Sequence, residues 1–219
     1  MTTKAETLQW TRRRRKNPRS VVGLVLAVVL GGVLLSACSN SVHVSVVGDS
    51  ITYDSGAAIL NTLSPKYAVG VDGAPGYTIG GQLPVIEAMA NHGSPPPQDW
   101  IFNLGTDDAI ENAHGHATGW QTDLATALRL MNYDSSCVIL VTIGSNADSY
   151  GGGAGSVAVQ INAALEQAAA ANPAKVKIID WAALVVQNPG WLQPDGIHPN
   201  TLGQQELAHL YQVALQSCP

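Results

Sequence analysis

Five short apolar runs, each rich in valine and isoleucine, alternate along this sequence with longer stretches of helical character. Such runs are typical of strands that are buried on both faces of a parallel sheet. Because parallel strands need crossover helices, the pattern predicts an α/β domain, a three-layer α/β/α sandwich around a five-stranded parallel sheet. The predicted strands are Val42–Val47, Tyr67–Val71, Trp100–Leu104, Val138–Ile143 and Val176–Ile179. The predicted helices lie near residues 55–63, 79–91, 118–132, 157–171 and 201–216.

The first 38 residues have the pattern of an export signal. Residues 12–19 are strongly basic and residues 21–35 carry no charge, an order that is typical of secretory signals. The apolar stretch leads into Leu35-Ser36-Ala37-Cys38, which resembles a bacterial lipobox, in which the cysteine is lipidated and becomes the new N-terminus. We therefore expect residues 1–38 to be a signal sequence that ends at a lipidated Cys38, and residues 39–219 to form the functional domain.

Two other interpretations of this segment stay open. The apolar stretch is at the short edge of what spans a bilayer, so it is consistent with an uncleaved signal-anchor helix, and plain cleavage is the third possibility. The basic residues that precede it favour the same orientation in all three cases. The domain is expected outside the cytoplasm, either anchored to the cell membrane or secreted.

The domain itself is acidic. From Cys38 onward the chain has 4 basic and 15 acidic residues. Binding to phosphate backbones requires clustered lysine and arginine, so nucleic-acid binding is excluded. With 46% hydrophobic and 12% charged residues the sequence is also unlike that of a disordered chain. We expect one globular domain that acts as a monomer.

Polar motifs follow three of the predicted strands, at the sheet edge where open α/β folds gather their functional residues. Gly48-Asp49-Ser50 follows the first strand and Gly105-Thr106-Asp107-Asp108 the third, while Asp195-Gly196-Ile197-His198-Pro199 precedes the last helix. A serine hydroxyl is a weak nucleophile until an imidazole takes its proton, and the imidazole needs a carboxylate on its other nitrogen. The candidates for nucleophile, general base and orienting carboxylate are Ser50, His198 and Asp195.

In these motifs the sequence resembles the SGNH, or GDSL-type, hydrolase family. Gly48-Asp49-Ser50 is similar to the family's first block, and residues 195–199 to its last. Ala74-Pro75-Gly76-Tyr77-Thr78, after the second strand, looks like the second block. The resemblance covers about residues 42–216. It implies the flavodoxin-like sandwich of that family and an exported serine esterase or deacylase, with no metal or organic cofactor.

The resemblance also implies how each site residue acts. Ser50 attacks the ester carbonyl, His198 takes and returns the proton, and Asp195 orients His198. The backbone N–H groups of Ser50 and Gly76 form the oxyanion hole. Asp49 is expected to tie down the turn before Ser50 rather than to take part in the chemistry.

One position departs from the family pattern. The third block of the family has an asparagine whose amide donates to the oxyanion, and this chain has Asp107 there. An ionised carboxylate would repel the negative charge that develops in the transition state. Four interpretations follow: a slow hydrolase, an enzyme that works with Asp107 protonated, one that uses another donor such as Asn103 or Asn112, or a degenerate enzyme.

The substrate is expected to be an acyl or acetyl ester, either a small molecule or a carbohydrate. Residues 178–181 and 188–191 are similar to SGNH domains attached to cell-wall O-acyltransferases, which favours acyl groups on envelope carbohydrate and leaves transfer to a sugar hydroxyl as an alternative. A non-catalytic envelope lipoprotein that keeps the fold as a binding module is the competing class. His114-Gly115-His116 lacks the surrounding ligands of a zinc site and is interpreted as a loop at the rim.

Two cysteines remain if Cys38 is lipidated. Cys137 begins the fourth predicted strand, and Cys218 follows a last helix that runs back toward the same edge of the sheet. Both are expected away from the active site, in an oxidising compartment, which predicts a disulfide between them. Two free thiols are the alternative.

Overall fold

The structure is a computed structural model, and it describes residues 41–145, 151 and 153–219. The predicted export segment and Cys38 lie outside the described residues. Within the described ranges, no helix has both the length and the hydropathy that crossing a membrane requires.

The predicted five-stranded parallel sheet is confirmed. Its strand order is β2-β1-β3-β4-β5, and every neighbouring pair is parallel. The strands are β1 (His43–Gly48), β2 (Ala68–Gly73), β3 (Asp99–Asn103), β4 (Cys137–Val141) and β5 (Val176–Ile179). The chain runs from β1 to β2 on one side and then returns to β3 on the other. The carboxyl ends of β1 and β3 therefore flank the topological switch point, where open α/β sheets bind their ligands.

Seven helices of the described residues cover the two faces of the sheet and complete the predicted sandwich. They are α1 (Ser50–Leu63), α2 (Ile79–His92), α3 (Thr106–Ala113), α4 (Trp120–Asp134), α5 (Ala154–Ala171), α6 (Trp181–Gln187) and α7 (Thr201–Leu215). Apolar residues of α1, α6 and α7 pack together on one face, and those of α2, α4 and α5 pack on the other. Residues of β3 and β4 are buried throughout, which explains why their sequences read as continuous apolar runs.

Three helix predictions need correction. The first helix was predicted from residue 55 but begins at Ser50, because the Asp49 carboxylate caps it and accepts a hydrogen bond from the Ile51 N–H at 2.9 Å. Two short helices, α3 and α6, were not predicted at all. Helix α6 has only 7 residues, too few for a helical period to stand out, and its signal is the capping carboxylate of Asp180.

The predicted disulfide is also confirmed. Cys137 lies at the amino end of β4, and Cys218 follows the end of α7. The two Cα atoms are 5.7 Å apart, and the bond joins positions 81 residues apart in the chain. It attaches the C-terminal helix to the edge of the sheet opposite the strand ends that carry the polar motifs.

A first prediction concerns this bond. Closing a loop of this length restricts the unfolded chain, so reducing the disulfide should lower the free energy of unfolding by about 2–4 kcal/mol. Urea unfolding with and without reductant measures the difference, and the Cys137→Ala/Cys218→Ala variant serves as control because it should not respond to reductant. Alkylation of both cysteines in the denatured, non-reduced protein would contradict the bond.

Candidate active site

Ser50 is the first residue of α1 and stands, half-buried, at the carboxyl end of β1. The turn before it is very tight. The N–H of Asp49 donates to the Asn103 carbonyl at 3.3 Å, which ties the turn to the end of β3. A Cβ atom on Gly48 would lie 1.8 Å from the Thr52 hydroxyl and 2.8 Å from the Asn103 carbonyl oxygen, so only glycine fits there. The turn thereby holds Ser50 at the switch point.

His198 lies on a loop before α7 that its own hydrogen bonds fix in shape. The Asp195 Oδ1 atom accepts from the N–H groups of Ile197 at 2.9 Å and His198 at 3.0 Å. The N–H of Gln193 donates to the His198 carbonyl at 2.8 Å and closes the loop across its base. Asn200 caps α7 through hydrogen bonds from the N–H groups at the start of that helix. The imidazole is thus presented on a short, internally bonded loop.

Two stacked tryptophans, Trp181 and Trp191, precede this loop in the chain. Trp181 is buried at the start of α6, and its ring stacks on Trp191 with the centroids 5.8 Å apart. Helix α7 packs closely against the backbone of Trp191, because a Cβ atom on Gly203 would lie 2.1 Å from the Trp191 carbonyl oxygen. The stacked rings and the close approach of α7 hold the start of the His198 loop in place.

The three candidate side chains form a continuous hydrogen-bonded chain. His198 Nδ1 lies 2.7 Å from Asp195 Oδ2, and His198 Nε2 lies 2.9 Å from Ser50 Oγ. Partial burial opposes ionisation of Asp195, but the N–H group of Ile197 and the imidazole and N–H of His198 outweigh it and lower the pKa of Asp195. An ionised Asp195 holds the proton on Nδ1 and leaves the Nε2 lone pair directed at the serine hydroxyl.

Two backbone N–H groups were predicted from the sequence as oxyanion donors. The Ser50 N–H belongs to the first turn of α1, where helical N–H groups lack intrahelical acceptors. Gly76 has φ of +78° and is exposed in the loop between β2 and α2, which is held beside the serine turn by a 3.2 Å hydrogen bond from the Ala74 N–H to the Gly48 carbonyl. Neither the Ser50 nor the Gly76 N–H donates to an acceptor within the described residues.

Asp107 is the second residue of α3, at the end of β3 next to the serine turn. Its side chain is half-buried, and its Oδ2 atom is buried without a hydrogen-bond partner among the described residues. Burial, followed by the charges of Asp108 and Glu111, raises the pKa of Asp107 to about 6, although His198 opposes the shift. The buried setting of this carboxyl group therefore disfavours its ionised form.

The two asparagines considered as substitute donors both use their side-chain amides in other hydrogen bonds. Asn103 is fully buried, and its amide donates to the Tyr211 hydroxyl at 2.9 Å. The Asn112 amide donates to the Asp108 carbonyl and to the Thr118 hydroxyl, each at 2.8 Å. These hydrogen bonds hold both amides within the domain and do not favour either one as a substitute donor.

Asp49 ties down the turn, as expected, but its protonation is unusual. The carboxyl is completely buried, and its Oδ1 atom caps α1. Burial, followed by the charge of Asp107, raises the pKa of Asp49 to about 7. Sequence reasoning missed this coupling because positions 49 and 107 come together only through the pairing of β1 with β3.

Asp108 has a role that sequence reasoning also missed. Its Oδ2 atom accepts a 2.7 Å hydrogen bond from the N–H of Ile79, the first residue of α2, and this bond joins the β3–α3 turn to the loop that carries Gly76. The only signal in the sequence is an acidic residue in the first turn of a short helix.

The His114–His116 loop is exposed. His116 pairs with Glu111 at 2.7 Å on the surface. Across the part of the chain that the structure describes, no group of three histidine, cysteine or acidic side chains is arranged to hold a metal ion.

Solved structures with the same fold include several enzymes. The GDSL-like lipase from Bacteroides thetaiotaomicron superposes with a TM-score of 0.66 at 20% identity, over 80% of this chain and 87% of that one. The C-terminal catalytic domain of peptidoglycan O-acetyltransferase A from Streptococcus pneumoniae gives 0.63 at 17% identity, over 81% and 94%. A catalytic mutant of an acetylxylan esterase from Geobacillus stearothermophilus gives 0.59 at 15% identity, over 78% and 92%. At these identities the likeness shows a shared fold.

Comparison of the sequence with curated proteins gives no match. The profile of the GDSL-like lipase/acylhydrolase family, in contrast, matches residues 46–206, a span that begins in β1 before Ser50 and ends in α7 after His198. The fold and this match together mean that the chain belongs to the GDSL-like lipase/acylhydrolase family.

Proposed function

We propose that this acylhydrolase is a serine esterase or deacylase that uses Ser50, His198 and Asp195 as its catalytic triad. The observation that carries the proposal is the unbroken chain from Asp195 Oδ2 through the imidazole to Ser50 Oγ, with links of 2.7 and 2.9 Å. These are the distances that a general base needs to take a proton from the nucleophile.

The reaction takes two steps. In the first, Ser50 Oγ attacks the ester carbonyl while its proton passes to His198 Nε2, and the same proton then leaves with the alcohol. In the second, His198 takes a proton from water, the resulting hydroxide attacks the acyl-serine, and the proton returns to Ser50 as the carboxylic acid departs. The ionised Asp195 stabilises the imidazolium in both steps.

The backbone N–H groups of Ser50 and Gly76 act as oxyanion donors in this proposal. The Ser50 N–H lies at a helix N-terminus, where the aligned peptide dipoles add positive potential. Donors of this kind contribute most where charge develops in the transition state.

We further propose a carbohydrate ester as substrate. Two exposed tyrosines adjoin the site: Tyr53, one turn after Ser50 on α1, is 60% exposed, and Tyr77, next to Gly76, is 44% exposed. Aromatic faces beside a nucleophile offer stacking surfaces for sugar rings. The names of two fold neighbours, a peptidoglycan O-acetyltransferase and an acetylxylan esterase, agree with this class. Transfer of the acyl group to a sugar hydroxyl instead of water remains the alternative, since the same acyl-serine serves both.

We also propose that the protein is exported and held at the membrane by a lipid on Cys38, with residues 39–219 outside the cytoplasm. The support is the basic and apolar sequence of residues 12–35 and the lipobox-like residues 35–38. A disulfide in the domain agrees with an oxidising compartment.

The triad predicts that purified residues 39–219 hydrolyse p-nitrophenyl acetate. Ser50→Ala and His198→Ala should each lower kcat by about 10³-fold or more, and the double variant should lose little further, because triad members act as a unit. Ser64→Ala, at the other end of α1, and His209→Ala, exposed on α7, are matched controls that should keep the wild-type rate. Activity that survives in Ser50→Ala would refute the triad.

If Tyr53 and Tyr77 bind sugar rings, their removal should affect KM for a carbohydrate ester but not KM for a small ester. Tyr53→Ala and Tyr77→Ala should raise KM for an acetylated oligosaccharide by about 3- to 10-fold, because each removes a stacking contact, and should leave KM for p-nitrophenyl acetate unchanged. Tyr133→Ala, on the 83% exposed tyrosine of α4, is the control. Equal effects on both substrates would reject the carbohydrate surface.

The proposed lipid anchor can be tested by labelling Cys38. In a bacterial host given radioactive palmitate, the full-length chain should be labelled, and Cys38→Ala should accumulate as an unlabelled, longer precursor. The Cys137→Ala/Cys218→Ala variant should still be labelled. If Cys38→Ala is processed and fractionates like the wild type, the lipoprotein proposal is wrong.

A further inference from the structure

Helix α2 carries a buried amide that the proposed chemistry does not use. Gln82, the fourth residue of the helix, is completely buried, and its neighbours on the same face, Ile79 and Ile86, are core residues. The side-chain Nε2 atom lies 3.0 Å from the Gly48 carbonyl oxygen, 3.1 Å from Asp72 Oδ1 and 3.4 Å from the Asp72 carbonyl oxygen. The amide therefore bridges the carboxyl ends of β1 and β2.

Burial of this amide costs free energy that an apolar side chain would avoid. The Gln82 Oε1 atom is buried without a hydrogen-bond partner among the described residues, and an unsatisfied buried oxygen opposes folding. An apolar side chain of similar length, such as methionine, would fill the position without that cost. The stability of the fold alone therefore does not explain a glutamine at position 82, whereas the atoms that its Nε2 atom holds do.

The Gly48 carbonyl oxygen connects the segments that carry the two proposed oxyanion donors. Gly48 lies two residues before Ser50 in the serine turn. Its carbonyl oxygen accepts a 3.2 Å hydrogen bond from the N–H of Ala74, which lies two residues before Gly76. The Nε2 atom of Gln82 is the second donor to the same oxygen. The buried amide therefore holds the serine turn and the start of the Gly76 loop at one point.

The end of β2 also packs directly against the first turn of α1. Gly73 pairs with Gly48, and a Cβ atom on Gly73 would lie 2.4 Å from the backbone nitrogen of Tyr53. Backbone meets backbone here without an intervening side chain. The Gly76 loop therefore starts beside the helical turn that begins with Ser50.

The backbone of Gln82 holds the other end of the Gly76 loop. Its N–H donates to the Thr78 carbonyl at 3.2 Å, and the Thr78 hydroxyl caps α2 by accepting from the Gly81 N–H at 3.1 Å. The loop between the two attachments consists of residues 74–78 alone. A segment this short, held at both ends, leaves the Gly76 N–H little freedom to move.

Resting on the proposed serine chemistry, we infer that Gln82 is a positioning residue for the oxyanion hole, and that its side-chain amide sets the N–H groups of Ser50 and Gly76 relative to each other. Gln82 does not touch the substrate, since its side chain is completely buried. Oxyanion donors are effective when they are aligned in advance with the position that the charge will occupy. A misplacement of about 1 Å can cost about 10²-fold in rate.

Gln82→Met tests the inference, because methionine keeps the length of the side chain and cannot donate. Both steps of ester hydrolysis pass through an oxyanion, so kcat for p-nitrophenyl acetate should fall by about 10- to 100-fold with KM unchanged. The kcat is expressed per active site, counted as the fluorophosphonate bound at complete labelling, so that a loss of folded protein does not register as a loss of rate. Ki for a trifluoromethyl ketone, which forms a tetrahedral adduct with serine, should rise by the same factor.

Gln212→Met is the matched control. The Gln212 amide donates to the Thr62 carbonyl at 3.1 Å and joins α7 to the far end of α1. Its substitution removes the same kind of hydrogen bond from side chain to backbone, and it should leave kcat per site, KM and Ki at their wild-type values. Wild-type kcat per site in Gln82→Met, or an equal loss in both variants, would overturn the inference.

Asp72 supplies a second pair of variants that keep Gln82 in place. Its Oδ1 atom holds the amide against the Gly48 carbonyl, so Asp72→Ala should lower kcat per site by about 3-fold with KM unchanged. Asp72→Asn keeps an oxygen acceptor and should retain the wild-type kcat. Because Asp72 is half-buried, neither change opens a cavity in the core. If Gln82→Met does not fold, this pair decides, and equal kcat values for Asp72→Ala and Asp72→Asn would refute the role of Gln82.

Failure of the serine chemistry would give a different result. If Ser50→Ala hydrolyses p-nitrophenyl acetate at the wild-type rate, the proposed function fails and the inference fails with it. If Ser50→Ala is inactive while Gln82→Met keeps the wild-type kcat per site, the serine chemistry stands and only the role of Gln82 is refuted.

Discussion

The parallel pairing of β1 with β3 is the constraint on which the rest of the site depends. The pairing sets Gly48 opposite Asn103, so the turns after the two strands meet at the switch point of the sheet. One turn carries Ser50 and the other carries Asp107, and the backbone bond from Asp49 to Asn103 joins them. The placement of these two turns beside each other follows from this register, since a slip along either strand would separate them.

The site also requires that His198, from a distant part of the chain, reach Ser50 at the switch point. Ser50 and His198 are 148 positions apart in the chain, and they meet because α7 packs against α1 through buried residues, including Leu207 and Tyr211. Hydrogen bonds to Asp195 and the stack of Trp181 on Trp191 then hold the loop in one shape. The disulfide at Cys218 attaches the far end of α7 to β4. Helix α7 therefore has the disulfide-bonded Cys218 just after its end, at one edge of the sheet, and His198 just before its start, at the other edge.

Sequence reasoning predicted the sheet, its five strands and the three residues of the hydrogen-bonded chain, because continuous valine and isoleucine runs and short ordered motifs are local signals. It missed α3 and α6, which are too short for a helical period, and it started α1 five residues late because a capping carboxylate was not recognised in Asp49. It did not find contacts between distant positions that no sequence motif marks. The coupling of Asp49 with Asp107 and the commitment of the Asn103 amide to Tyr211 depend on register and burial.

The central claim is that Ser50 is a nucleophile activated by His198, and covalent capture tests it most directly. The protein would be incubated with a fluorophosphonate, digested, and the modified residue identified by mass spectrometry. Labelling of Ser50 alone, slowed strongly by His198→Ala and abolished by Ser50→Ala, is the predicted result. No adduct on Ser50 in the folded wild type, or an adduct that forms equally fast without His198, would contradict the claim.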